Sequence, residues 1–367
     1  MSPDAAVAAA GRILRRGAAA LLVLVAVLAG GAGVAAADPA VPTDFESVID
    51  ATTPALPDGV SVRVVGGDSF LELHADGHTV VVPDYGTGPD RAPYLRFDPD
   101  GTVSRNERSA AAQVNDDRYG AGATATGGEP DWRVVSRDGR YAWHDHRIHW
   151  MSPSRPPLVD GTRQVDLGHE DGSGAWEVDL LVDGTPTVVR GRLFLHPAPS
   201  PVPWYALAAA AAAALGAAAV LVDRRGRPVP WTALAGAATL AATLATAAGW
   251  AQWRAIPADA GGTPVTAAVP AAGLLAALGA VAATARRGRL APARLPLLAA
   301  AVAALGGWAI WRRDVLRRAI LPTSTPGLDR VATALALGVA VALAAVLVWR
   351  PPGARPRRRP SPDGPDR

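Results

Sequence analysis

Val331-Ala332-Thr333-Ala334-Leu335-Ala336-Leu337-Gly338-Val339-Ala340-Val341-Ala342-Leu343-Ala344-Ala345-Val346-Leu347-Val348-Trp349 is an unbroken apolar run with a single threonine and no charge, closed by a tryptophan. As a helix rising ~1.5 Å per residue it matches the ~30 Å hydrocarbon core of a bilayer. Four similar stretches precede it, at 204–222, 231–250, 265–285 and 295–311. Trp204, Trp231, Trp250, Trp308, Trp311 and Trp349 stand at or just inside the span ends, and Trp253 just beyond one. Amphipathic rings settle at that depth, the membrane–water boundary. Residues 201–350 therefore predict a bundle of five transmembrane α-helices in contact with the lipid bilayer. Residues 351–367 predict a disordered basic tail in the cytoplasm.

The other end of the chain predicts a signal peptide over 1–37. Arg12, Arg15 and Arg16 form its positive start, 17–34 its apolar core, and Ala35-Ala36-Ala37 a small-residue cleavage site before Asp38. Between leader and spans, 38–200 predicts an extracytoplasmic all-β, sandwich-like domain. Short runs such as Val60–Val65, Pro93–Asp98, Ala175–Val182 and Thr187–Leu195 are separated by Gly- and Asp-rich turns. Ser69–His74 and His78–Val82 predict a hairpin around Ala75-Asp76-Gly77. Residues 105–130 predict a long polar loop, and four prolines in 196–203 a short stiff tether that keeps the domain near the membrane surface.

The formal charge of +3 hides a division. Residues 38–203 carry 26 acidic residues and 14 arginines, whereas 204–367 carry 19 arginines and 6 aspartates. An acidic exported domain joined to arginine-rich membrane loops accounts for the basic balance and gives no support to nucleic-acid binding. Every basic residue is arginine, which points to a GC-rich, actinobacterial genome. The absence of cysteine excludes disulfides, thiolate metal sites and cysteine nucleophiles. Arginines at 224, 225 and 227, at 286, 287, 289 and 294, and in the tail place those loops inside and the N-terminal domain outside. Arg312, Arg313, Arg317, Arg318 and Arg330 then fall outside, against the rule. Their spacing predicts a short amphipathic interfacial helix, a basic platform for the acidic domain, for lipid headgroups or for an envelope protein partner.

The chemistry concentrates in Trp143-His144-Asp145-His146-Arg147-Ile148-His149-Trp150-Met151. Imidazole is a common transition-metal ligand. In a strand, His144 and His146 would share one face, while His149 joins them only through a bulge or a strand end. A nitrogen-rich set of His144, His146 and His149, assisted by Asp145 or by Met151 as a soft ligand, suits copper or zinc better than calcium. The alternative is a structural network, with Trp143 and Trp150 as core or partner-surface aromatics, Asp145 and Arg147 as an ion pair, and histidines bonded to loop backbone. No nucleophile elbow, phosphate loop or paired-glutamate motif occurs, so no catalytic residue can be named.

This run, together with Tyr94-Leu95-Arg96-Phe97, Asp100-Gly101-Thr102-Val103 and Asn115-Asp116-Asp117-Arg118-Tyr119-Gly120, resembles a family of actinobacterial exported multi-pass membrane proteins. In that family a Trp-His-Asp-His-Arg-x-His-Trp-Met motif recurs in a β-rich outer domain. The resemblance covers most of 85–200 and brings no activity with it. Ser109-Ala110-Ala111-Ala112 departs from a Ser-Pro-Ala-Thr-like stretch. The layout is also similar to copper-resistance proteins that join a periplasmic β-domain to a membrane domain, although the spans here lack histidine and methionine. These features imply a membrane-anchored extracytoplasmic binding protein for copper or zinc, or else a non-catalytic envelope interaction protein.

Overall fold

A computed structural model describes residues 39–86, 91–116, 128–152, 154–168, 172–285 and 293–349. The leader, Asp117–Gly120, His169, Arg286, Arg287, Arg289 and the basic tail lie outside the described residues.

The first half folds into two antiparallel sheets. One has seven strands in the order β1 (Phe45–Thr53), β10 (Thr185–Leu195), β9 (Trp176–Val182), β4 (Val80–Pro83), β5 (Pro93–Phe97), β6 (Val103–Asn106), β7 (Trp132–Ser136). The other has three, in the order β2 (Val60–Val65), β3 (Phe70–Ala75), β8 (Arg140–His144). Leu71 and Leu73 of β3 share one core with Tyr94, Leu95, Phe97, Trp143, Ile148, Trp176, Val178 and Leu193. Each such side chain contributes about 1.5–3 kcal/mol by leaving water. The clearest hairpin is β9–β10, where the two-residue turn Asp183-Gly184 has both residues at positive φ, matched to the strand twist.

Three expectations are corrected. Ser69–His74 and His78–Val82 do not form a hairpin: β3 pairs with β2 and β8, and β4 with β5 and β9. The segment between them is a crossover from one sheet to the other, because the apolar residues of both strands face a common core. The 105–130 stretch is not all loop. It contains the end of β6 and a helix, α1 (Ala110–Asp116). Ser109 Oγ caps that helix by accepting from Ala112 N, and the Asp84 carboxylate accepts from Ala110 N and Ala111 N. The strand entering the histidine run stops at His144, and a 3-10 turn, His146–Ile148, follows.

The second half is a bundle of five long apolar helices: α2 (Val202–Arg224), α3 (Trp231–Ala255), α4 (Val265–Ala285), α5 (Arg294–Trp311) and α6 (Pro326–Trp349). Their length and composition fit a multi-pass membrane protein. Packing relies on small residues. Gly338 of α6 lies directly against the Ala208 backbone of α2, where a methyl group would collide. Trp253 lies within α3 rather than beyond it. The 312–330 segment is not an amphipathic helix. It is a 3-10 turn, Arg313–Leu316, followed by an irregular stretch before α6.

The halves meet along a seam. Thr43 and Ile320 exchange two backbone hydrogen bonds, of 3.0 and 2.9 Å. The Asp44 carboxylate accepts from Arg318 Nη1 at 2.6 Å and from Ala319 N at 2.9 Å. Ala40 N donates to Ala260 O. Ala40, Val65, Phe70, Ala142, Ile256 and Ala260 form one apolar cluster across the seam. Gly67 sits where a side chain would strike Thr43, the Phe45 carbonyl and Ile320. Part of the arginine-rich segment thus does hold the acidic domain. Asp44→Asn is expected to cost about 1–2 kcal/mol, since it weakens a charge-assisted pair whose arginine is half-exposed. Faster amide exchange at Thr43 and Ile320 is the readout, and unchanged exchange would exclude Asp44 as a clamp.

Candidate functional site

His144 ends β8, and the chain then turns sharply because Asp145 caps the 3-10 turn, its side chain accepting from Arg147 N. The turn replaces strand alternation as the device that gathers the histidines. The His144 ring lies 4.8 Å from that of His146 and 5.6 Å from that of His149, centre to centre, and meets both edge-on. His144 and His149 are buried, and Phe70 packs edge-on against His144 from the seam side. The structure therefore brings the three imidazoles together.

Asp145 faces other partners. It is fully buried, and its carboxylate accepts from Trp143 Nε1 at 2.8 Å, from Arg147 Nε at 2.9 Å and from Arg147 Nη2 at 2.6 Å. Burial alone would raise its pKa, but the Arg147 charge and the donated hydrogen bonds outweigh this and hold it below the usual carboxylate range. Arg147 also lies over the Tyr85 ring. Trp143 is core. Trp150 packs partly against the same core and donates from Nε1 to Ser154 O. Met151 is partly buried in the extended stretch that leaves the cluster.

Residues remote in sequence complete the surroundings. The Asp68 carboxylate, buried in the Gly66–Ser69 turn, stands 2.5 Å from His149 Nδ1. Tyr85 lies against the His146 ring, and its hydroxyl accepts from His146 N and donates to Asn115 Oδ1 at 2.6 Å. Burial, and then the Asp145 charge, push the Tyr85 pKa upward, so the phenol stays protonated as that donor. Asn115 Nδ2 donates in turn to Tyr94 Oη. Ser47 Oγ donates to Ile148 O at 2.5 Å, and Asp145 N to Ser69 O. Sequence reasoning gave Asp68 and Tyr85 no role, and Asn115 entered only within a stretch that carries the resemblance. Among the described residues, no group of three or more histidine or carboxylate side chains stands ready to hold a metal ion.

The remaining described histidines lie elsewhere. His74 is in β3, opposite Ser61 and Arg140. His196 Nε2 pairs with Glu46. His78 Nδ1 meets Asp183 Oδ2 at 2.7 Å beside the β9–β10 turn.

At the bundle end nearest the β-domain, Arg312 is buried, its guanidinium bonded to Gln252 and, at 2.6 Å, to Asp329 Oδ1, and stacked over Trp308. This buried pair escaped notice because Asp329 precedes the apolar run, whereas α6 begins at Pro326. Arg313 and Arg317 are exposed. No family model, no curated protein and no solved structure matches the chain.

Two outcomes test these contacts. Asp145→Ala leaves the partly buried Arg147 and the Trp143 Nε1 donor without their acceptor and is expected to cost about 2–4 kcal/mol. A β-domain melting temperature near that of the parent would show that the pair is dispensable. The Asp183 hydrogen bond raises the His78 pKa, and His78 lowers that of Asp183. The pair's contribution is therefore complete between the ordinary aspartate and histidine values. It fades as pH rises through the raised His78 value or falls through the lowered Asp183 value. Proton NMR should find His78 titrating above the ordinary histidine value, and Asp183→Asn should bring it back.

Proposed function

We propose that the protein is a membrane-anchored binding protein whose β-domain, on the extracytoplasmic side, takes up a copper or zinc ion through His144, His146 and His149. The spacing of the His146 and His149 rings from that of His144 carries this reading. In a tetrahedral complex with metal–nitrogen bonds of ~2.0 Å, imidazole centres lie about 5 Å apart, and here the separations are 4.8 and 5.6 Å. Asp68 supports it. A carboxylate on Nδ1 fixes the tautomer and orientation of a ligating histidine, and in His149 it would leave Nε2 as the donor for a metal. Binding requires the rings to turn so that their donor nitrogens converge. Asp145 stays out of the ligand set because Trp143 and Arg147 hold it, which leaves Met151 or water for the fourth position.

Orientation follows from charge. Arg224, Arg225 and Arg227 close α2 and the loop after it, at the bundle end remote from the β-domain. Their clustering supports a cytoplasmic face there. A second reading, an envelope interaction protein with a purely structural histidine network, is favoured by the full commitment of Asp145 and by the lack of a ready ligand set among the described residues.

Titration of the full chain in detergent, free of a histidine tag, with Zn(II), Cu(II) and Cu(I) decides between them. One-to-one binding that His144→Ala/His146→Ala/His149→Ala abolishes, and that Asp68→Asn weakens about 10–100-fold, is the expected result. A folded chain that binds none of the three ions would sink the metal reading and leave the structural one.

A further inference from the structure

Five arginines lie on the β-domain side of the bundle between α5 and the first turns of α6, and the structure assigns internal partners to three. Arg312 is buried against Asp329 and Gln252. Arg318 binds Asp44. Arg330 donates to the carbonyls of Val315, Arg318 and Ala319. Arg313 and Arg317 face outward. Between them, Val315 and Leu316 are 2% and 1% exposed, so the 3-10 turn is pinned by its apolar side with its charged side turned away from the protein. Among the described residues, the Arg313 side chain reaches the Ile310 carbonyl, at 3.5 Å. Asp314, partly buried, stands between the two and leaves the turn net positive. Just before it, Ile310 and Trp311 at the end of α5 are 59% and 56% exposed. The surface thus passes from aliphatic to indole to guanidinium over one helix end, the order in which a bilayer passes from tails to glycerol to phosphate.

We propose that Trp311, Arg313 and Arg317 seat the phosphate of an anionic phospholipid in the leaflet on the β-domain side. Guanidinium is suited to this because its planar donors bind phosphate oxygens in pairs. Trp311 fixes the depth at which the headgroup is met. The seat is separate from the histidine cluster and does not depend on metal. It also gives these two arginines a reason to stand against the usual charge asymmetry of membrane loops.

The test uses the full chain in nanodiscs of phosphatidylcholine alone, or of phosphatidylcholine and phosphatidylglycerol in equal parts, with retained lipid read by native mass spectrometry. The parent chain is expected to keep phosphatidylglycerol in preference to phosphatidylcholine. Arg313→Gln/Arg317→Gln should lose that preference by on the order of 25-fold, at roughly fivefold per arginine. A charge-matched control on the β-domain, Arg137→Gln/Arg155→Gln, should keep it. Both arginines are exposed, and an unchanged melting temperature in phosphatidylcholine verifies that the variant is folded. Equal retention by parent and variant, equal loss in the control, or displacement of the lipid by millimolar inorganic phosphate would each overturn the proposal.

Discussion

Asp145 is the pivot of the β-domain. A charged residue amid aromatics would ordinarily remain at the surface, but here Arg147 and Trp143 supply donors to both carboxylate oxygens, and burial follows. The chain can then end a strand at His144 and fold back within three residues. The three imidazoles meet because of that corner. The acidic residue inside the motif orients the turn, and the acidic residue outside it, Asp68, orients a histidine.

The second organising feature is the seam. Backbone pairing between Thr43 and Ile320, an ion pair between Asp44 and Arg318 and an apolar cluster around Phe70 bind a β-domain to helix-connecting loops without any strand continuing across. Phe70 touches both the seam cluster and His144, and Gly67 and Asp68 belong to the turn that also meets Ile320. The histidine cluster therefore rests on the bundle-facing base of its domain.

The five helices were legible because length and apolarity are local properties that add along the chain. The β-class was legible from turns such as Asp183-Gly184 and from alternation in Val60–Val65. Pairing was not legible where a short turn joins two sheets, as between β3 and β4, since only the shared core decides it. The gathering of His144, His146 and His149 was half-visible. Their proximity in sequence suggested it, but alternation was the wrong device, and a capped turn does the work. Asp68 and Tyr85 were invisible because they arrive from 81 and 61 residues away. Arg312 and Asp329 were hidden by a span boundary drawn on hydropathy, which cannot anticipate that two charges neutralise each other inside a helix end.

The seam also orders the protein's biogenesis. Asp44 and Arg318 are 274 residues apart, and all five helices bar the last are synthesised between them. The β-domain can complete its sheets as soon as β10 is made and can rest Ala40 and Phe70 on Ile256 and Ala260 once the loop after α3 has emerged, yet Thr43 and Asp44 have no partner until the loop after α5 is made. Complete docking is thus a late step that reports on the assembly of nearly the whole chain. A molecule truncated before residue 318 would carry a finished β-domain held only at Ala260 and Ile256, with Thr43 and Asp44 unpaired, which gives a proteolytic quality-control system a simple feature to recognise.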